Sequence, residues 1–476
     1  SVAAGSIYWY DFETFGNDPR RDRASQFAGI RTDEDLNIIG DPLVIFCRPS
    51  MDFLPSPMAC LITGITPQKA MSEGVCEAEF THLVHEEFSR AGTCVAGFNS
   101  IRFDDEMARQ LLYRNFYDPY EREWKNGNTR WDIINMVRLA AATRPEGIAW
   151  PKKQDGSNSF QLEALTNANG IEHTDAHDAM SDVMATIEMA RLVKYAQPRL
   201  FDYVYKLRNK EAVRRQIDLK SRRPLLHVSV TYPATQGCVA VVVPICPHPT
   251  NGNGLIVYDL RLDPDTWIHL SEDEIRMRVY TSKDRLPAGL SLRPFRTIHY
   301  NRCEILASPK VLSPDRAALY GVDEKLTKLH WEKIMNTRGL EQKIGNVFRR
   351  EESYNSDDPD FMIYNGGFFN EGDKELMRLV RKTSSEELAR LDLPFKDGRL
   401  KEMLFRYRAR NFPETLRTEE SERWRSFCRQ RIESTDTREK YSIDLEKAKT
   451  LANSSQVEAL SQLQRYVSEL RKQLAI

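Results

Sequence analysis

Apolar and polar positions alternate with a period of two through "IYWYDF" (residues 7–12), "QFAGIRT" (26–32) and "LVIFCRP" (43–49), with a polar "DEDLN" turn before the third. Aromatic and β-branched residues at that period predict three strands in an antiparallel meander. The pattern changes to a helical one in "EAEFTHLVHEEFS" (77–89) and returns to that of a strand in "TCVAGF" (93–98). Helical signals then hold to residue 196, among them "FQLEALTNANGI", where Leu162 and Leu165 share a face and Gly170 supplies the stop. This order predicts a mixed α/β first domain over residues 1–197.

Residues 204–224, "VYKLRNKEAVRRQIDLKSRRP", carry eight basic residues against two acids and predict a basic helix leading out of that domain. After Pro224 the chain reverts to strand alternation and turn punctuation in "LLHVSVTYP", "CVAVVVPIC", "HPTNGNG" and "LIVYDLRL", as a small barrel or sandwich requires. The acidic, proline-containing "EESYNSDDPD" (351–360) predicts a linker, placing a second domain at 198–352. Beyond Gly398 there is no further glycine and one proline, and Val457, Leu460, Leu463, Val467, Leu470 and Leu474 recur at spacings of three or four. A helical third domain, 353–476, is expected.

Charge and composition then narrow the class. The 476 residues exceed what one core usually supports. Lysine plus arginine (68) nearly cancels aspartate plus glutamate (69), which excludes a nucleic-acid binder acting through bulk charge but leaves local basic tracks open. The eight cysteines show neither a CxxC pair nor zinc-like clustering and read as reduced thiols. No apolar run approaches the roughly 20 residues needed to span a bilayer, and no basic lead-in precedes one at the N-terminus. A cytoplasmic protein without a membrane role is expected.

Against this background, some acids stand out. Alternation sends Asp11 and Glu13, in "YDFET", to the same face of an otherwise aromatic strand. Either that face is solvated at a sheet edge, or a cation lies between two desolvated charges. In "VAGFNSIRFDDEMARQLLYR", Asp104 and Asp105 open a helix, where acids also complement the helix dipole; one can cap while the other works. In the helix beginning at "HDAMSD", Asp182 shares a small, acidic face with Asp178, Ala179, Ala185 and Thr186. His177, five residues before Asp182, falls in the lead-in loop, and Asp178 suits the helix cap. His173 and His177 form an HxxxH pair, but no glutamate in the general-base position and no sulfur ligand accompany it, so a zinc site is not expected. That pair and "HLVHEE" (82–87) read as surface histidines.

"DFET", "GFNSIRFDDE" and "HDAMSD" resemble the three exonuclease motifs of the DnaQ-like DEDD superfamily, in the subgroup whose histidine precedes the last aspartate by five positions. "LITGIT" and "LEALTNANGI" resemble phrases common there. Beyond the motifs, "YRNFYDPY", "RPEGI", "FDY" after "QPRL", "YNGGFF" and "FRYRARNFP" are similar to the bacterial exodeoxyribonuclease I family, over essentially the whole chain. The resemblance implies a ribonuclease H-like exonuclease domain with a mixed sheet, an SH3-like β-barrel and a helical C-terminal domain. It implies 3′ to 5′ degradation of single-stranded DNA to 5′-mononucleotides in repair and recombination. Asp11, Glu13, Asp104 and Asp182 map to metal ligands, for two Mg²⁺ ions or Mn²⁺, and His177 to the general base.

Four carboxylates from separate elements share a site only if cations neutralise them, and hard oxygen ligands suit Mg²⁺ or Mn²⁺. Between 109 and 138, Arg109, Tyr113, Arg114, Phe116, Tyr117, Tyr120, Trp124, Arg130, Trp131 and Arg138 interleave rings and cations, a mixture that suits a single strand, with about half of the rings expected in the core. The resemblance selects Arg109, Tyr120, Trp124 and Arg138 as DNA contacts and places Glu13, Thr14, Phe98 and Gln161 near the terminal nucleotide. It also implies binding of the acidic C-terminal tail of single-stranded DNA-binding protein, with Arg144 and Tyr203 as matched positions, and a monomer is expected. An exoribonuclease or proofreading nuclease of the same superfamily, or a binding protein on an inactive nuclease fold, are the competing readings.

Overall fold

The computed structural model describes residues 5–173, 175–290, 292–350 and 356–476. The chain forms two compact units: residues 1–129, 173–186 and 354–476 make the first, and 130–172 with 187–353 the second.

In the first unit, β1 (Ser6–Thr14), β2 (Ala24–Asp33) and β3 (Leu43–Phe46) form the expected antiparallel meander. β4 (Thr93–Gly97) pairs parallel with β1 on its other side, giving the order β3-β2-β1-β4. β1 therefore has partners on both sides from Ser6 to Trp9, while Asp11 and Glu13 lie beyond the β4 pairing and are paired with β2; it is burial, with Glu13 8% exposed, that speaks against a solvated face. Its alternation puts Tyr8, Tyr10 and Phe12 into a core with Phe27, Phe80, Phe88 and Leu111. Trp9, Asp11 and Glu13 face the opposite way, and the Trp9 Nε1 donates to Thr32 Oγ1 at 2.9 Å. Gly29, opposite Tyr10 on β2, lies under the Tyr8 ring, where any added carbon would stand 2.4–2.6 Å from ring atoms. Helices Glu77–Phe88 and Asp104–Arg114 flank the sheet's strand β4 in sequence. A short strand, β5 (Thr129–Asp132), carries the boundary between the units.

The C-terminal helices of this unit, Glu371–Lys382, Arg399–Asn411, Thr418–Glu433, Thr435–Leu451 and Val457–Gln473, bear out the helical tail. Leu463 and Val467 pack with Phe15, Cys60 and Ile65 of the N-terminal segment. A buried charge network reinforces that packing. Asp52 receives Arg23 at 2.8 Å, Arg410 at 3.0 Å and Arg431 at 3.1 Å. Asp360 receives Arg410, with Arg431 at 2.8 Å and Arg406 at 3.2 Å. Glu77 binds Arg114 at 2.8 Å. These guanidiniums hold the Asp52 and Asp360 carboxyls below the usual range and Glu77 at about 2, despite burial.

Two expectations fail here. Residues 351–355 of the expected linker lie outside the described residues, but Asp358 and Asp360 are not linker: they are ion-pair partners of Arg406, Arg410 and Arg431. The basic stretch 204–224 is not one helix. Helix Pro198–Lys206 ends, Asn209 caps a second short helix, Lys210–Arg214, by accepting from Glu211 N, and turns follow.

The second unit contains a five-stranded antiparallel sheet of β6 (Leu225–Val228), β7 (Val239–Pro247), β8 (Gly254–Asp259), β9 (Phe295–His299) and β10 (Ile305–Ala307), in the order β10-β6-β7-β8-β9. β7 and β8 are buried along nearly their whole length, as their unbroken Val and Ile content requires. All eight cysteines are free thiols, in line with the sequence reading.

Removing the charge of Asp52 while keeping its shape leaves three buried guanidiniums short of a counter-ion. Asp52→Asn is expected to cost roughly 3–5 kcal/mol, read as a lowered denaturation midpoint. A loss below about 1 kcal/mol, typical of an exposed pair, would show the network to be solvent-screened.

Candidate active site

Asp11 and Glu13 project from the same face of β1, and helix Ala179–Ala196 supplies Asp182 in its first turn. Each offers a carboxylate oxygen within 4.8 Å of the others'. Asp11 Oδ2 is buried and accepts no hydrogen bond. Burial pushes the Asp11 carboxyl well above the usual range, and the charges of Asp104, Glu13 and Asp182 add to it. Burial, then Asp182, pushes Glu13 up to about 9. Among the described residues, no basic side chain is paired with Asp11 or Glu13 as arginines are with Asp52. A cluster of this kind holds protons or cations, and an all-oxygen donor set with one orphaned oxygen fits a hard divalent ion.

Asp104 and Asp105 divide their tasks. Asp105 accepts from the Tyr10 hydroxyl and lies 3.5 Å from Arg122, so it pins the start of helix Asp104–Arg114 to β1. Asp104 Oδ1 accepts from Phe12 N–H at 3.0 Å, beside the cluster and outside the group of three, where its charge acts on Asp11. Both acids are buried, so the dipole reading alone does not describe them.

His177 sits, as expected, in the lead-in turn; it is exposed and has a φ of +70°. Asp178 caps the helix by accepting from Ser181 N at 3.1 Å. The surface reading of the other histidines holds for His82, which is exposed, and needs correction for His173 and His85. His173 is buried, its side chain 4% exposed, with Nε2 2.6 Å from Asp182 Oδ1. His85 packs on the Tyr117 ring at 4.3 Å, and burial pushes it down to about 4. Spacing alone cannot report either, since both depend on what the fold lays over them.

The expected substrate residues fall on both units. In the first, Thr14 is buried and donates to Gly16 O, and Phe98 is half-buried directly after β4. Arg109 makes a two-pronged ion pair with Glu123, at 2.8 and 2.7 Å, and lies 5.0 Å from the centre of the Tyr120 ring. Trp124 is 65% exposed. Sequence reasoning missed two further rings here. Phe368, 83% exposed, meets Tyr120 edge-on at 5.5 Å, and the Tyr364 hydroxyl lies 3.4 Å from Arg109. The available signal was "YNGGFF", a glycine turn followed by unsatisfied aromatics. Tyr113, Phe116 and Tyr117 are core, as is Trp131 of the second unit, so four of the six rings are buried where about half were expected.

In the second unit, Arg138 is buried, donates to Asn135 Oδ1 at 2.9 Å and stacks over Phe160, while Gln161 is exposed just before helix Leu162–Ala168. Arg144 donates to Val311 O at 2.8 Å, and the Tyr203 hydroxyl to Gln216 Oε1 at 3.0 Å and Leu306 O. Gln216 and residues 308–310 line a cavity of about 640 Å³ whose walls include Pro224, Leu225, Pro309 and Trp331, with Arg223, Lys310 and Lys328 around it. The sequence marked Arg144 and Tyr203 but not the cavity.

Comparison with known proteins bears on the whole chain. Residues 8–190 match the family described as "Exonuclease", 208–350 the "Exonuclease I SH3-like domain" and 357–470 the "Exonuclease I C-terminal domain". The exodeoxyribonuclease I of Haemophilus influenzae is 42% identical over 463 residues, 97% of this chain and 98% of that protein. The Escherichia coli exodeoxyribonuclease I is 44% identical over 426 residues, 89% of each. The structure superposes on E. coli exonuclease I in complex with a dA16 oligonucleotide with a TM-score of 0.94 at 41% identity, covering 98% of this chain and 100% of the other. It superposes on a structure of SSB/exonuclease I with the inhibitor CFAM with a TM-score of 0.90 at 40% identity, covering 98% and 99%. The fold is thus a ribonuclease H-like exonuclease followed by SH3-like and C-terminal exonuclease I regions, and the exonuclease region implies divalent-metal dependence. Among the described residues no helix is long and apolar enough to cross a membrane.

The raised Glu13 carboxyl generates a signed prediction. Between its ordinary 4.5 and about 9 the folded, metal-free protein holds a proton that the unfolded chain releases, so stability contributed by this group falls as pH rises. With a chelator present, the thermal midpoint is expected to fall between pH 7 and 9 more steeply than in Glu13→Gln, and Mn²⁺ should remove the difference. Equal slopes for the two proteins in chelator would contradict the assignment.

Proposed function

The chain belongs to the exonuclease I family, and we propose that it hydrolyses single-stranded DNA from the 3′ end to 5′-mononucleotides, with Asp11, Glu13, Asp104 and Asp182 as metal ligands and His177 as general base. The observation that carries this reading is the convergence of Asp11, Glu13 and Asp182 around a buried oxygen without a partner. Bound there, two Mg²⁺ ions, or Mn²⁺, would neutralise the scissile phosphate, acidify the attacking water and stabilise the departing 3′ oxygen.

The chain's own residues account for the remaining chemistry. β1 holds the backbone of Asp11 and Glu13 by pairing with β2 opposite Ala28 and Gln26, and the Phe12 N–H between them donates to Asp104 Oδ1. Asp105 and Tyr10 fix the helix that presents Asp104. His177, exposed on its turn at the start of the Asp182 helix, takes the water's proton on a ring nitrogen, a contribution of roughly 10² to 10⁴ in rate. Thr14 and Phe98, which flank the carboxylates in sequence, position the terminal nucleotide, and Gln161 is a further proposed contact. Arg109, Tyr120 and Trp124 hold the strand behind it by stacking and phosphate contact, at about 1–3 kcal/mol per stacked base, with Arg138 as a further contact. Local placement of these groups reconciles strand binding with a net charge of −1. The corresponding domains are 1–197, 198–352 and 353–476, in a cytoplasmic monomer acting in repair and recombination.

The cavity beside Arg144 and Tyr203 supports a further part of the reading, binding of the acidic C-terminal tail of single-stranded DNA-binding protein. Apolar walls of Pro224, Leu225, Pro309 and Trp331 suit apolar tail residues, and Arg223, Lys310 and Arg144 suit carboxylates.

A time course on 5′-labelled DNA tests the activity. A ladder shortening from the 3′ end, confined to single strands and lost with a chelator or in Asp11→Ala, is expected, while His177→Ala should retain measurable turnover, slowed by roughly 10² to 10⁴. Cleavage that persists in chelator, or unchanged rates in Asp11→Ala, would overturn the assignment. For the partner, Arg144→Ala should weaken an acidic peptide with an apolar C-terminus by the roughly 1.5–3 kcal/mol of a hydrogen bond to a charged group, read by fluorescence anisotropy. Unaltered binding would place the peptide elsewhere.

A further inference from the structure

The two histidines of the HxxxH pair have opposite environments. His177 is exposed on a left-handed turn. His173, between helices Leu162–Ala168 and Ala179–Ala196, is enclosed: its side chain is 4% exposed, and its Nε2 stands 2.6 Å from Asp182 Oδ1. Asp182 itself remains 19% exposed and sits in the first turn of its helix, where its carboxylate also accepts from the His177 backbone N–H.

An aspartate at a helix start can rotate its carboxylate among staggered positions. Of the three convergent acids, Asp11 and Glu13 share one strand, paired there with β2 opposite Ala28 and Gln26, whereas Asp182 comes from a separate element. Fixing one of its oxygens from behind leaves the remaining lone pairs with a defined direction. A buried imidazole is suited to this role, because it is rigid and its own position is set by packing.

We propose that His173 is a positioning residue of the active site, holding Asp182 in the rotamer in which its carboxylate joins Asp11 and Glu13. His177 reacts and His173 holds. The inference rests on the reading of Asp182 as a metal ligand, and it differs in sign from the obvious alternative, in which the imidazole occupies the place of a cation and competes with it. Removing a holder weakens metal binding, whereas removing a competitor strengthens it.

The test is Mn²⁺ binding to the full chain without DNA, followed by calorimetry or by the loss of the free-ion resonance signal. His173→Leu and His173→Gln both fill the space, but only glutamine can donate to Asp182. The expected result is a loss of Mn²⁺ affinity of about 10- to 100-fold in His173→Leu, with partial recovery in His173→Gln. Thermal midpoints in chelator identify a variant that fails to fold, in which case the glutamine variant decides: affinity nearer the parent's supports the holder, and affinity above the parent's refutes it. Asp182→Ala separates the two levels of the argument. If Asp182→Ala binds Mn²⁺ as the parent does, the ligand assignment fails. If it loses Mn²⁺ while His173→Leu binds with parental or greater affinity, only the role of His173 is overturned.

Discussion

Buried carboxylates without counter-charges are the constraint around which this protein is organised. The same first unit buries acids in two ways. Asp52, Glu77 and Asp360 are surrounded by guanidiniums and held at or below the low end of the carboxylate range. Asp11 and Glu13 have acids as neighbours, and burial together with those charges drives them upward. Both are expensive to desolvate. Only the second kind leaves an unmet demand for positive charge, and so only the second kind makes a site for a divalent cation.

The two kinds of acid depend on each other. A strand that must hold like charges at short range needs rigid support, and β1 has it from β2 along its length, from β4 as far as Trp9, and from a core of aromatic rings behind it. The arginine network then joins the N-terminal segment to the C-terminal helices, so the tail contributes to the same compact unit as the carboxylates. The Phe368 and Tyr364 rings reach Tyr120 and Arg109 through that union.

What was legible in the sequence was local. The alternation around Asp11 and Glu13, the acids opening the Asp104 helix and the Asp178 cap are settled within a few residues, and each is found where spacing puts it. That β4 pairs with the first half of β1 could not be read, because each partner lies 87 positions away. Composition misread Asp358 and Asp360 as linker because their partners, Arg406, Arg410 and Arg431, are distant in the chain. His173 looked like a surface group for a different reason: its partner Asp182 is only nine residues on, but spacing does not report what the fold lays over the imidazole. The basic stretch after 204 was taken as one helix, since charge counting does not register Asn209 as a cap.

The pairing of Asp52 with Arg410 and Arg431 spans 358 and 379 positions. During synthesis the acid is made long before either arginine exists, so a growing chain carries it without two of its three cations until the last helices are complete. Contacts of such separation also form late, because the intervening chain must first be ordered. The nuclease segment is thereby tied to completion of its own tail, and a chain broken off early lacks the charges that would let the unit close.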